Sequence, residues 1–299
     1  MGLPEKITLV EVGPRDGFQN VKELIPAEDK IAIIQAMMKA NVRQMEITSF
    51  VNPKWVSQMA DAGQVAGAVL SQAPEGFRAI ALTPNRRGVE NAVRAGMGHV
   101  TYVVSASETH NQRNVNRSVE ASLKELREIR SEFPDICVRV SLATSFGCPF
   151  EGEVSSERVL YMIDQILSAG VQEIILCDTI GVANPLQVQK LLREIKKQMG
   201  KIQTGLHFHD TRGLGLSNIY AGLLEGITIF ETSIGGLGGC PFAPGSAGNT
   251  ATEDLLNMLD GMGISHGINT DAYMQAVALV KEKVKAPLTG RIVSMCRTA

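Results

Sequence analysis

Thr204-Gly205-Leu206-His207-Phe208-His209-Asp210 and, further on, Gly235-Gly236-Leu237-Gly238-Gly239-Cys240-Pro241-Phe242-Ala243-Pro244-Gly245-Ser246-Ala247-Gly248-Asn249 are the stretch whose reading decides the fold. In the first piece apolar residues alternate with others, and Gly and Asp mark its ends, which predicts a strand. Side chains two apart on a strand share a face, so His207 and His209 point the same way. Two imidazoles on one side of a rigid strand can ligate a single metal ion. Taken alone, His-x-His is more often a pair of packed polar residues, so the surroundings decide. The second piece reads as a glycine-rich loop that has to carry Cys240 and Asn249 over the same spot.

Outward from there the chain repeats a strand-then-helix rhythm. Strand patterns fall at 7–13, 44–50, 77–83, 99–105, 137–144, 173–179, 204–210 and 229–235. Helix-period stretches lie between them at 27–40, 56–70, 85–95, 118–132, 155–169, 185–199 and 217–225, and an eighth follows the last strand at 252–259. Asn184-Pro185 and Ser155-Ser156-Glu157 have the chemistry of helix starts. Eight such units are the number in a closed (β/α)₈ TIM barrel, an α/β fold. An open doubly wound sheet calls for Gly-x-Gly-x-x-Gly after the first strand, and that turn is missing. No linker or low-complexity segment divides the 299 residues, so one domain is expected, with a short C-terminal helical extension at 270–285.

Composition excludes several classes. A net charge of −2, with charges mixed along the chain, gives no electrostatic case for nucleic acid or an acidic membrane. No apolar run approaches the roughly 18 residues of a membrane span. The strand pattern begins almost at the N-terminus, where no signal or transit peptide is expected. Five scattered cysteines without a Cys-x-x-Cys pair point to a reducing, cytoplasmic setting. No strand pattern contains the lysine that a Schiff-base aldolase projects into its barrel. The serine-hydrolase elbow and the phosphate-binding Gly-Lys-Ser/Thr loop are also missing.

Barrels of this kind carry their chemistry at the C-terminal ends of the strands. Collected there are Arg15 and Asp16 after the first strand, Glu46 in the second, Asp178 ending the sixth, His207, His209 and Asp210 on the seventh, and Cys240 and Asn249 after the eighth. Asp16, His207, His209 and Asn249 offer two nitrogens, a carboxylate and an amide oxygen. That set suits octahedral Mg²⁺ or Mn²⁺ with room for water or substrate. Zn²⁺ fits the histidines, but a catalytic zinc usually has fewer protein ligands. Such an ion serves as a Lewis acid. Arg15, next to a ligand, is placed to hold an oxyanion. Cys240 on a flexible loop can carry a proton if its pKa falls from ~8.5 toward neutrality.

These same residues resemble a known family. Val12-Gly13-Pro14-Arg15-Asp16-Gly17 with Gln19-Asn20, Glu46, Ser49-Phe50-Val51, Pro53-Lys54-Trp55 and Ala106-Ser107-Glu108 are similar to blocks of 3-hydroxy-3-methylglutaryl-CoA (HMG-CoA) lyase. So are Gly147-Cys148-Pro149-Phe150-Glu151, Asp178-Thr179-Ile180-Gly181, His207-Phe208-His209-Asp210-Thr211 and the loop around Cys240. The resemblance implies a TIM-barrel metallolyase that cleaves HMG-CoA to acetyl-CoA and acetoacetate, a step of leucine breakdown and ketone-body formation. It implies that Asp16, His207, His209 and Asn249 bind the divalent cation and that Arg15 steadies the enolate of acetyl-CoA. Cys240 is implied in proton transfer, with Glu46 and Asp178 as further active-site residues. The partners implied are an acyl-CoA substrate and a second copy of the chain in a homodimer. A rim carboxylate, or Asp210, is expected as the base that takes the hydroxyl proton.

Phe18, Val21, Ile234 and Arg212 depart from the commonest pattern, and none is a proposed ligand. Arg212 is placed either to read an extra substrate carboxylate or to make a surface ion pair. Residues 109–118, with His110, Arg113 and Arg117, read either as CoA phosphate contacts or as a solvated helix start. Three rival functions stay open: a lyase for a related substrate such as citramalyl-CoA, a condensing synthase, and a catalytically silent binding barrel. The synthase usually carries a long C-terminal regulatory domain that this chain does not show.

Overall fold

The computed structural model of the protein describes residues 2–199, 202–239 and 248–295. Eight parallel strands close into a barrel in chain order: β1 (Thr8–Glu11), β2 (Gln44–Ser49), β3 (Arg78–Thr83), β4 (His99–Ser105), β5 (Cys137–Ala143), β6 (Glu173–Asp178), β7 (Gln203–Phe208) and β8 (Ile229–Thr232). Closure is made by β8 pairing with β1, from Thr8 opposite Ile229 to Glu11 opposite Thr232. Around the barrel lie α1 (Ala27–Lys39), α2 (Ala62–Leu70), α3 (Arg86–Arg94), α4 (Glu108–Val115), α5 (Val119–Glu132), α6 (Ser156–Ser168), α7 (Pro185–Met199), α8 (Gly215–Leu224) and α9 (Thr252–Met262). The extension is α10 (Thr270–Lys283) and a short tail.

Strand alternation sorts the side chains into two environments. One set, including Val100, Tyr102, Leu176, Leu206 and Phe208, is buried against the helices in the main core. The other set faces the barrel axis. There Val10, Val12 and Ile80, with Ile229 packed against them, form a separate apolar cluster. Barrel interiors are usually filled by such branched residues. Here much of the interior is charged instead: Glu46, Glu173 and Glu231 are all buried and each is ion-paired with the buried Arg139.

Helix starts follow local chemistry. Ser155 Oγ accepts the Arg158 N–H at 3.2 Å and Asn184 Oδ1 accepts the Gln187 N–H at 3.1 Å, each satisfying a first-turn donor. Three features differ from expectation. Residues 56–61 form a short 3₁₀ turn at Ser57–Met59 before α2 begins, because the Gln58 side chain is drawn inward to the backbone of Val21, Glu23 and Ile25. Residues 108–115 form a complete helix capped by Ser107, whose hydroxyl accepts the His110 N–H. The strand pattern overran β7 and β8, since their last residues leave the ladder to build the rim.

The extension is a working part of the rim. The Tyr273 hydroxyl donates to Glu11 Oε2 at 2.5 Å, joining α10 to β1. Thr289 N donates to the Gly235 carbonyl, and Asp254 accepts from the N–H groups of Arg291 and Ile292. The tail thus grips the start of the glycine-rich loop.

Gly205 lies on the same face of β7 as the two histidines. A Cβ there would fall 2.6 Å from Ile175 Cδ1 and 2.9 Å from Ile229 Cγ2. Elsewhere Gly→Ala stabilises by about 0.4–1 kcal/mol through the unfolded chain. Here overpacking wins, so Gly205→Ala is expected to destabilise by about 1–3 kcal/mol in urea titration; a gain in stability would contradict this packing.

Candidate metal centre and active site

The turn after β1 places the first two functional side chains. The Val12 carbonyl accepts from the N–H groups of Arg15, Asp16 and Gly17, winding Gly13–Gly17 into one wide turn. That turn projects Arg15 and Asp16 into the barrel mouth, where both are buried. Glu11 Oε1 braces it, accepting from Gly13 N at 2.7 Å and Ile234 N at 2.9 Å.

β7 supplies the next two. Leu206 and Phe208 pack outward, so His207 and His209 face inward, with ring centroids 5.2 Å apart. The segment 248–250 then adds itself to the end of β7: Asp210 N donates to the Gly248 carbonyl and Thr250 N to the Phe208 carbonyl. This lays Asn249 opposite His209. A Cβ on Gly248 would sit 2.6 Å from the Gly238 backbone, so only glycine lets the two described ends of the loop cross this closely.

The ligating atoms of Asp16, His207 and His209 lie within 4.8 Å of one another, all buried. Asn249 Nδ2 donates to Asp16 Oδ2 at 2.6 Å and to the Leu237 carbonyl at 3.0 Å. Its Oδ1 is buried with no hydrogen-bond partner, and so is His209 Nδ1. Buried polar atoms are normally satisfied. An unpartnered amide oxygen on a residue hydrogen-bonded to Asp16, with His209 Nε2 4.0 Å from the same carboxylate, is an arrangement that fits a cation. The four expected ligands therefore meet, and the donor set fits a divalent ion.

Electrostatics support the arrangement. Burial pushes the Asp16 carboxyl up, but the Arg15 guanidinium, the two imidazoles and the Asn249 amide outweigh it and hold it down at about 2. Burial also opposes the Arg15 charge, yet Glu46 and Asp16 overcome that and raise its pKa. Burial, helped by the neighbouring His207, lowers His209 to about 4, which keeps it neutral and able to ligate. His207 Nδ1 faces Glu231 Oε2 at 2.9 Å, which leaves Nε2 for a metal.

The remaining expected residues divide. Glu46 is fully buried; one carboxylate oxygen accepts from Arg15 Nε and the other from the Thr101 hydroxyl at 2.6 Å. Its place is behind Arg15. Asp178 accepts the N–H groups of Val182 and Ala183, both at 2.9 Å, and so shapes the loop after β6. It is not among the residues lining the cavity, where its neighbour Cys177 is. Burial raises the Asp178 pKa, against those two hydrogen bonds. Asp210 is turned away as well, capping α8 through Gly215 N at 2.7 Å, so it is not the base beside the ligands that the sequence suggested. Cys240 lies outside the described residues. Gly239, just before it, lines the cavity, and its carbonyl accepts from Asn20 Nδ2 at 3.2 Å.

The cavity over the triad is about 570 Å³ and runs outward between Trp55 and residues 113–117. Trp55 is 86% exposed, an unusual state for the chain's only tryptophan and one suited to a flat ligand. Arg113 stacks on Phe150 at 4.4 Å, and Arg117 pairs with Glu125 and donates to the Pro84 carbonyl, so the helix start is both structured and part of the rim. Arg212 donates to the Ile180 and Gly181 carbonyls, which is neither of the roles expected for it. Phe18, Val21 and Ile234 are buried packing residues. Sequence reading missed Glu231, Arg139 and Glu11. A charge inside Ile229-Phe230-Glu231-Thr232 was the available signal for the first of them.

A family model described as HMGL-like matches residues 6–280. Hydroxymethylglutaryl-CoA lyase YngG of Bacillus subtilis is 42% identical over 293 residues, 97% of this chain and 97% of that one. The 3-hydroxy-3-isohexenylglutaryl-CoA/hydroxy-methylglutaryl-CoA lyase of Pseudomonas aeruginosa is 40% identical over 278 residues, 92% of each chain. Among solved structures, an HMG-CoA lyase from Acinetobacter baumannii in complex with coenzyme A and 3-methylmalate matches with a TM-score of 0.94 at 34% identity, over 100% of this chain and 98% of that one. With a rim chemistry and a full-length match that agree, the chain belongs to the HMGL-like family.

Proposed function

We propose that the protein is a divalent-metal-dependent HMG-CoA lyase, releasing acetyl-CoA and acetoacetate. The single observation that carries this reading is the meeting of Asp16, His207, His209 and Asn249 beside Arg15 at the floor of an open cavity. Mg²⁺ or Mn²⁺ is the ion this oxygen-and-imidazole set suits, and when bound it supplies Lewis-acid polarisation to the substrate's hydroxyl and carbonyl oxygens.

The chain's own residues do the rest. The barrel mouth admits the acyl group toward the triad, and the outer cavity by Trp55 takes the CoA moiety. As the 3-hydroxyl gives its proton to a rim carboxylate, its oxygen becomes the ketone of acetoacetate and the C2–C3 electron pair passes to the acetyl thioester. The resulting enolate meets the Arg15 guanidinium, kept charged and aimed by Glu46 and Asp16. Cys240 returns a proton to C2. Glu46 acts through Arg15, and Asp178 acts by holding the loop next to the site.

Breadth of substrate is a second reading, favoured by the Pseudomonas relative whose name carries two acyl groups. Citramalyl-CoA cleavage belongs to the same reading. The same proposal includes a cytoplasmic homodimer serving leucine breakdown and acetoacetate formation. Among the described residues no helix is long and apolar enough to cross a membrane.

Exhaustive chelation is expected to abolish acetoacetate release, and Mg²⁺ or Mn²⁺ to restore it; full turnover of the metal-stripped protein would overturn the metal's role. Cys240→Ser is expected to cost about 10²–10⁴-fold in kcat, the range of a positioned proton-transfer group, with an unaltered circular dichroism spectrum. Unchanged turnover would remove Cys240 from the mechanism.

A further inference from the structure

Arg139, midway along β5, is the largest of the fully buried side chains. Burying a guanidinium is costly unless partners surround it, and this one is surrounded. Its Nε donates to the Thr101 hydroxyl at 2.8 Å. Its Nη2 donates to Glu46 Oε1 at 3.5 Å and lies 2.5 Å from Glu231 Oε1, while Nη1 lies 3.6 Å from Glu173 Oε1; the contacts with Glu231 and Glu173 are ion pairs without hydrogen-bond geometry. Arg139 itself is not a lining residue, although its partner Glu231 and Ser141, two positions on, are.

Two of the three carboxylates around it, Glu231 and Glu46, each hold something else. Glu231 uses its other oxygen on His207 Nδ1 at 2.9 Å. Glu46 uses its other oxygen on Arg15 Nε, and Arg15 in turn pairs with Asp16. Followed outward, both arms arrive at the metal-ligand cluster. The two arms, Arg139–Glu231–His207 and Arg139–Glu46–Arg15–Asp16, drawn from β5, β8, β7, β2 and the turn after β1, end where His207 and Asp16 bring their ligating atoms within 4.8 Å of each other. A planar guanidinium suits such a hub, because its fork hydrogen-bonds Thr101 and Glu46 at once while its spread charge meets Glu231 and Glu173, which a compact ammonium cannot do.

We propose that Arg139 is a positioning residue for the reaction: its fork fixes Glu231 and Glu46, which orient His207 toward the cation and Arg15 toward the enolate. This rests on the lyase reading and its cation site. The competing role, simple neutralisation of buried acids, needs only the charge.

Arg139→Lys separates the two, since it keeps the charge and loses the fork. The measurement is Mn²⁺ binding by electron paramagnetic resonance on the metal-stripped full chain, with kcat and KM for HMG-CoA, and near-ultraviolet circular dichroism as the check on folding. For folded Arg139→Lys, Mn²⁺ affinity and kcat are each expected to fall about 10–100-fold, the effect of losing a partner behind metal ligands, with KM little changed. Wild-type Mn²⁺ affinity and turnover in this variant would overturn the proposal and leave neutralisation. If Arg139→Lys does not fold, Thr101→Val decides: it removes the acceptor of Nε and a donor to Glu46, and a smaller fall in the same two quantities is expected, no fall overturning the proposal. Asp16→Ala is the control for the site itself. Wild-type Mn²⁺ binding no tighter than that of Asp16→Ala would sink the cation reading and this proposal together, whereas failure of the Arg139 and Thr101 variants alone leaves the cation reading standing.

Discussion

Two backbone hydrogen bonds, Thr250 N to the Phe208 carbonyl and Asp210 N to the Gly248 carbonyl, are the constraint on which the site depends. They add a returning segment to the end of β7 and so set Asn249 against His209. Strand alternation had already turned His207 and His209 to one side. The turn after β1 delivers Asp16 from the other side of the β8–β1 seam. Four candidate ligands spanning more than two hundred positions in sequence are thus brought together by main-chain geometry, and side-chain rotamers only finish the task.

That gathering has an electrostatic consequence. Asp16, Glu46, Glu173 and Glu231 are carried into or near the barrel interior, and Arg15, Arg78 and Arg139 answer them. These four carboxylates outnumber the three guanidiniums by one. Buried charge is expensive unless paired. A divalent cation held there, as proposed, would offset negative charge and give the buried amide oxygen of Asn249 a partner. The polar interior is therefore the support of the site as well as its cost, and the apolar work of stability falls to the layer between strands and helices.

Much of this was legible in the residues. The eight-fold rhythm is a repeated local pattern, and each strand and helix carries it in its own sequence; His-x-His declares a shared face by spacing alone. Asp16, His207, His209 and Asn249 could be singled out because their types suit one chemistry and the fold puts strand ends together. The harder residues are those whose meaning lies in a partner far along the chain. Glu231 and Arg139 look like isolated charges in apolar strands until the barrel closes and they face each other. Asp178 and Asp210 were harder to place for a related reason: both stand at strand ends, but a one-residue step along a strand reverses the face. Asp178 therefore turns to the loop while Cys177 lines the cavity, and Asp210 turns to the start of α8.

The central claim is that one cation is held jointly by the two ends of the chain and by β7. Anomalous diffraction from a crystal of the protein grown with Mn²⁺ tests it most directly. The account predicts one strong peak at about 2.0–2.3 Å from a carboxylate oxygen of Asp16, a ring nitrogen of His207 and of His209, and the amide oxygen of Asn249. A peak bound elsewhere, or one that engages the histidines while leaving Asp16 and Asn249 out of reach, would contradict it.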